Sequence, residues 1–179
     1  EVTTQARLSS DINQRSGVSV RVSIANYETM LGNAVRRAIR NGEEWACPRV
    51  SDLAYIVASF AGKIELETFK EGRESRLTED LTRRAVLRTF GGYFEVDELD
   101  PVVTAFDIGS QAETGSEKPA AYYPELVKNI DGLPQAVNKL TDDNRPEVIA
   151  AAVEFILEGL HLSRKLNCDR SGDVATYKR

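Results

Sequence analysis

Apolar residues along this chain recur mostly at intervals of three and four, the spacing of amphipathic helices. Residues 23–40 place Ile24, Tyr27, Leu31, Ala34, Val35 and Ala38 on one stripe. Ser23 stands where an N-cap belongs, and Asn41-Gly42 where a helix stops. Ser51-Asp52 caps a second segment with Leu53, Ile56, Val57 and Phe60 on one face, interrupted at Gly62. Residues 63–67 alternate, which suits either a continued helix or a short extended piece, and residues 71–76 read as a polar loop. Thr78 caps a third helix carrying Leu81, Ala85, Val86 and Phe90, closed by Gly91-Gly92. Asp100-Pro101 opens a short helix over 101–107, and Pro124 and Pro134 each open another. Asn144 and Pro146 start the clearest one, with Ile149, Ala152, Val153, Ile156, Leu157 and Leu160 on a broad apolar stripe persisting to about Asn167.

Between these lie two stretches without a core pattern. Residues 109–119 are polar and rich in small side chains, as in a linker, and residues 168–179 read as a flexible tail. With no internal repeat and no convincing strand pair, the pattern predicts an all-α multi-helix bundle of about seven to nine helices with mostly short connections.

Composition narrows the function. The chain has 179 residues, 41% hydrophobic and 28% charged, with a formal net charge of −5. That is an ordinary globular balance. No apolar run has the length of a membrane span, and nothing in the first residues looks like a signal peptide. The acidic excess argues against a nucleic-acid coat. Arginines 36, 37 and 40, and 83, 84 and 88, form two basic clusters that would contact phosphates only if they shared a face. The first cluster is equally the solvated end of a helix, where cations oppose the macrodipole.

Parts for self-contained catalysis are scarce: one His, two Cys, one Met and one Trp. Cys47 and Cys168 belong to no CxxC pair, and His161 has no ligand partner one turn away, so a zinc site is not spelled out. Reduced thiols and a helix-flank histidine are the simpler reading. No G-x-S-x-G elbow presents a serine to His161. No G-x-x-x-x-G-K-[ST] loop exists; Gly62-Lys63 lacks the upstream glycine. The acidic cluster Glu95-Asp97-Glu98-Asp100 lacks calcium-loop spacing and reads as a solvated loop feeding a helix. The aromatic cluster Phe90-Gly91-Gly92-Tyr93-Phe94 is either core or the floor of a docking groove. A start at Glu1 rather than Met reads as a fragment of something longer, the alternative being a mature protein whose Met was lost by processing.

One constellation stands out. Residues 16–25, Ser-Gly-Val-Ser-Val-Arg-Val-Ser-Ile-Ala, directly precede a helix ending in Arg-Asn-Gly-Glu, and Pro48-Arg49-Val50-Ser51-Asp52-Leu53 opens the next. This resembles the helical lid of AAA+ ATPases, in the branch shared by magnesium-chelatase ATPase subunits and MoxR-type ATPases. Phrases such as Ser23-Ile24-Ala25-Asn26-Tyr27-Glu28, Gly62-Lys63-Ile64-Glu65-Leu66-Glu67, Gly92-Tyr93-Phe94 and Phe155-Ile156-Leu157-Glu158-Gly159-Leu160 extend the resemblance over about residues 10–167.

The resemblance implies a lid-like subdomain over residues 1–64, a C-terminal helical extension over 65–167 and the tail. It makes Arg21 the sensor-2 arginine, reaching the γ-phosphate of ATP. A planar guanidinium can hold phosphate oxygens bidentately and stabilise charge as the terminal phosphate leaves. ATP and Mg would be held by a P-loop domain upstream in the same chain. The Walker residues and arginine finger of that domain have no matching positions here, so no catalytic residue and no activity are expected of this chain alone. A homo-oligomeric ring, a cytoplasmic location and either metal insertion or remodelling of a protein client follow from the same resemblance. A self-standing helical interaction module without catalytic activity is the alternative.

Overall fold

The computed structural model describes residues 1–13, 18–60, 63–64 and 73–179. Among them the chain is mostly helical, and it also carries a small antiparallel sheet that the helical reading leaves out. Eight α-helices follow in order: α1 (Val2–Leu8), α2 (Val20–Asn41), α3 (Val57–Phe60), α4 (Arg73–Tyr93), α5 (Asp100–Asp107), α6 (Tyr123–Asn129), α7 (Leu133–Leu140) and α8 (Pro146–Leu162). Tighter 3₁₀ turns over Val50–Ile56, Val96–Leu99 and Ala120–Tyr122 lead into α3, α5 and α6.

Local signals account for most boundaries. Gly42 ends α2 in the left-handed region (φ 66°), its N–H bonding Ala38 and Ile39 carbonyls. Pro101, Pro124, Pro134 and Pro146 all lie in the first turns of their helices, where the missing N–H costs nothing. Four starts and stops differ from the sequence pattern. The N-cap of α2 is Ser19, not Ser23, whose hydroxyl instead bonds Thr3 across to α1. Helix α4 begins at Arg73 and buries Thr78 inside it, so residues 73–76 of the expected loop are helical. At its other end it runs through Gly91-Gly92, glycine being costly but not forbidden in a helix held by packing. Helix α8 stops at Leu162, short of Asn167. Residues 65–67 and 71–72, and the Ser16-Gly17 and Gly62 positions of the family-like phrases, lie outside the described residues.

The sheet corrects both the all-α expectation and the two stretches read as linker and tail. Strands β1 (Ala112–Gly115), β2 (Asn167–Ser171) and β3 (Val174–Lys178) pair antiparallel in the order β1-β3-β2. Ala112 faces Tyr177 and Gly115 faces Val174, while Ser171 and Val174 close a hairpin over Gly172-Asp173. Gly172 takes φ 57°, the left-handed conformation that such a two-residue turn requires. Ala112 and Thr114 from β1, and Ala175 and Tyr177 from β3, are buried. The supposed linker and tail therefore complete a core.

Two apolar clusters share α4. The smaller gathers Ala6, Ile12, Val18, Val22, Ile56 and Phe60 around Leu77 and Leu81 of α4. The larger packs Phe90 of the same helix, and Phe94 just after it, against α5 to α8 and the sheet. Helices α4 and α8 approach so closely that a Cβ on Gly159 would sit 2.1 Å from the Phe90 ring. Phe90 and Phe94 are thus core residues, and Tyr93 alone of that aromatic cluster faces out, edge-on to Phe155.

Candidate functional site

Arg21 lies in the first turn of α2 and is exposed. Because the helix starts at Val20, Arg21 is inside it rather than ahead of it, where a cation is mildly disfavoured by the macrodipole. Among the described residues no ion pair involves it. Beside it, Val20, Ile24 and Tyr27 form a stripe at one face of α2, 66%, 52% and 61% exposed. The stripe read from the spacing therefore divides: Ile24, Tyr27 and Val35 face out, while Ala34 and Ala38 are buried together with Val22 and Arg37. The end of α1, with exposed Leu8, is held nearby by the Arg7 Nε bond to the Val18 carbonyl (3.3 Å).

The opposite end of α2 builds a buried ionic network. Arg37 is not part of a solvated helix end; its side chain is 2% exposed. It donates to Glu43 (2.7 Å), Asp52 (3.0 Å) and the Cys47 carbonyl (2.7 Å). Burial works against its charge, but the Asp52 hydrogen bond and the Asp52 and Glu43 carboxylates outweigh this and raise its pKa. Arg49 donates to Glu43 (2.7 Å) and the Lys118 carbonyl (2.9 Å) and stacks over the Tyr123 ring. Asp52 also accepts the Arg49 backbone N–H (2.8 Å), which fixes the turn at Val50-Ser51-Asp52. Glu154 of α8 closes the network, accepting from the Ser51 N–H (2.9 Å) and the Tyr123 hydroxyl (2.7 Å). Burial and then the Glu154 charge push the Tyr123 phenol far above its usual range. The other arginines are dispersed: Arg36 stacks on Tyr55, Arg40 donates to the Ser116 carbonyl, Arg84 pairs with Asp80 and Arg88 with Glu1.

Next to this network lies a cleft of about 350 Å³. One wall is the turn at Val50 to Leu53, another is α4 with Glu79 and Arg83, and the third is the sheet. Its floor is α8, which contributes Glu154 and Glu158 from successive turns. Glu158 accepts from Arg170 (2.6 Å) and the Tyr177 hydroxyl (2.7 Å) through one oxygen, Oε2. Burial and the neighbouring Glu158 push the Tyr177 phenol far up as well. The cleft was not legible as a site, yet a signal exists. Glu154 and Glu158 stand one turn apart within Val153–Leu160, otherwise apolar except for Gly159, so they must be buried and must bring partners.

Comparison of the chain with family models, curated proteins and solved structures returns no match.

The remaining candidates stay apart from the cleft or within ordinary packing. Cys47 and Cys168 are half-buried, and burial raises both thiols, the opposite of nucleophile activation. His161 ends α8, its Nδ1 3.1 Å from the Leu166 carbonyl. No cluster of three or more potential metal ligands occurs among the described residues. Glu98 of the acidic cluster is bound by Lys139, and Asp100 begins α5. No helix among the described residues is long and apolar enough to cross a membrane.

Proposed function

We propose that this chain is the lid and C-terminal helical extension of a magnesium-chelatase-like AAA+ ATPase, closing over ATP bound by a P-loop domain of the same protein. The observation that carries the reading is the contrast at α2. Arg21 is exposed and has no carboxylate partner among the described residues, and it stands beside the uncovered apolar residues Val20, Ile24 and Tyr27. A guanidinium left without an internal partner, on the edge of an apolar face, suits a role toward an anion held by a docked domain. Mg-ATP would supply the phosphoryl group, and Arg21 would bind and orient its terminal phosphate as the lid closes as a rigid body. The described residues offer no phosphate cradle of their own, so nucleotide binding rests with the P-loop domain. In a homo-oligomeric ring this movement would be passed to a metal-insertion or protein-remodelling step.

The test is Arg21→Ala in the full-length protein. ATP turnover falls on the order of a hundredfold, while nucleotide binding is partly kept and the fold is unchanged. Unaltered turnover would overturn the assignment. The competing reading, a stand-alone interaction module, requires no nucleotide and predicts a full-length chain without ATPase activity.

A further inference from the structure

We propose that the cleft between α4, α8 and the sheet is a binding site for an organic cation, an alkylammonium or alkylguanidinium group, with Glu158 holding its charged head. Glu158 is only 5% exposed and lines the cleft. Both of its protein donors, Arg170 and Tyr177, converge on Oε2; Oε1 accepts no hydrogen bond from any described residue. A carboxylate has about four acceptor positions; those on Oε2 are taken by the protein, whereas those on Oε1 are open to whatever occupies the cleft. The neighbouring Glu154 shows the contrast, with both oxygens engaged by the protein.

A second unmet group lies on the same wall. The Ser51 hydroxyl is buried without a hydrogen-bond partner, although its backbone N–H is bound by Glu154. An acceptor oxygen and a free hydroxyl together call for a ligand rich in N–H donors. The lining sets its charge and shape. Four carboxylates (Glu79, Glu154, Glu158 and Asp173) stand against two guanidinium groups, and one of these, Arg170, is already engaged by Glu158. Val50, Leu53, Val57 and Val86 provide an apolar wall for an aliphatic stem. A single free carboxylate oxygen suits an ammonium or guanidinium donor better than a hard metal ion, which needs about six oxygen ligands. The volume admits a side chain of lysine or arginine size.

The test titrates the 179-residue chain with the acetylated, amide-blocked forms of lysine and arginine, with spermidine, and with blocked norleucine as the uncharged control, followed by amide chemical shifts. The cations are expected to shift Ser51, Thr82, Glu158 and Gly172, with norleucine about tenfold weaker or silent. Tighter binding of the blocked amino acids points to a partner protein's side chain as the source, and tighter binding of spermidine to a free polyamine. Glu158→Gln is expected to weaken binding about tenfold. Should that variant fail to fold, Ser51→Ala decides, because its hydroxyl supports nothing in the fold; a loss of about threefold or more is expected. Equal binding of norleucine, no shifts at these residues, or unchanged affinity in the folded variants would overturn the proposal.

Discussion

The two ends of α2 handle the same kind of side chain in opposite ways. At the C-terminal end Arg37 is sealed between Glu43, Asp52 and a carbonyl, and every element nearby is tied to the result. At the N-terminal end Arg21 is exposed, next to apolar residues that nothing in the described chain covers. A buried guanidinium must have its partners in place for the fold to form at all, so its chemistry is spent on stability and specificity. An exposed one beside bare hydrophobic surface leaves its chemistry available to something else. Position on a helix thus says less about an arginine's role than what surrounds it.

The comparison can be broken most forcefully at the buried end. Arg37→Met leaves Asp52 buried without its cation and Glu43 with Arg49 alone, and is expected to lower stability by about 3–5 kcal/mol, read as a shifted urea midpoint. A cost below about 1 kcal/mol would place the network in water and remove the contrast. Next in size is Tyr123→Phe, which takes the hydroxyl donor from Glu154; a loss of about 1.5–3 kcal/mol is expected.

That variant also sharpens the pH behaviour. Tyr123 and Tyr177 are held neutral far above the ordinary tyrosine value near 10 by burial and by Glu154 and Glu158. Above that pH the unfolded chain loses these two protons while the folded chain keeps them. Their stabilisation is therefore complete below about pH 10 and declines as the pH rises beyond it. Denaturant midpoints between pH 8 and 11 should fall, less steeply in Tyr123→Phe, and tyrosinate absorbance should show two of the six tyrosines ionising only on unfolding. A pH-independent midpoint would contradict this. The smallest effect belongs to the exposed end: Arg21→Ala and Ile24→Ser should each change stability by no more than about 0.5 kcal/mol. A larger loss at either site would mean that this face is already committed within the chain.

The helical part of the fold was largely legible because its signals are local. Prolines at the starts of α5 to α8 and Gly42 after α2 act within one turn of themselves. The sheet was not legible because its signals are distant or weak. Strand β1 is four residues long and meets β3 some sixty positions later, and β2 reads Asn-Cys-Asp-Arg-Ser, polar enough to pass for a tail. Only the Gly172-Asp173 turn announced the hairpin. Periodicity placed Ala34 and Ala38 of α2 inside correctly but not Ile24, Tyr27 and Val35, since a regular apolar stripe states that something should cover it without stating what. Arg37, Glu154 and Glu158 were hidden for a related reason: a charge at a core position is readable only through its partners, and these come from loops and helices up to about a hundred residues away. Arg21 was found by a motif, whereas its proposed task depends on groups outside the described chain.

The order of the sheet has a consequence for how the molecule is made. Its central strand is the last to be written. A ribosome producing this chain exposes β1 for about sixty residues before β3 exists to receive it, and β2 likewise waits for β3. During that interval Ala112 and Thr114 have no inner face to join, and the strand offers a bare edge to other nascent chains. Synthesis rate across residues 115–178, rather than helix formation, then governs how long that exposure lasts.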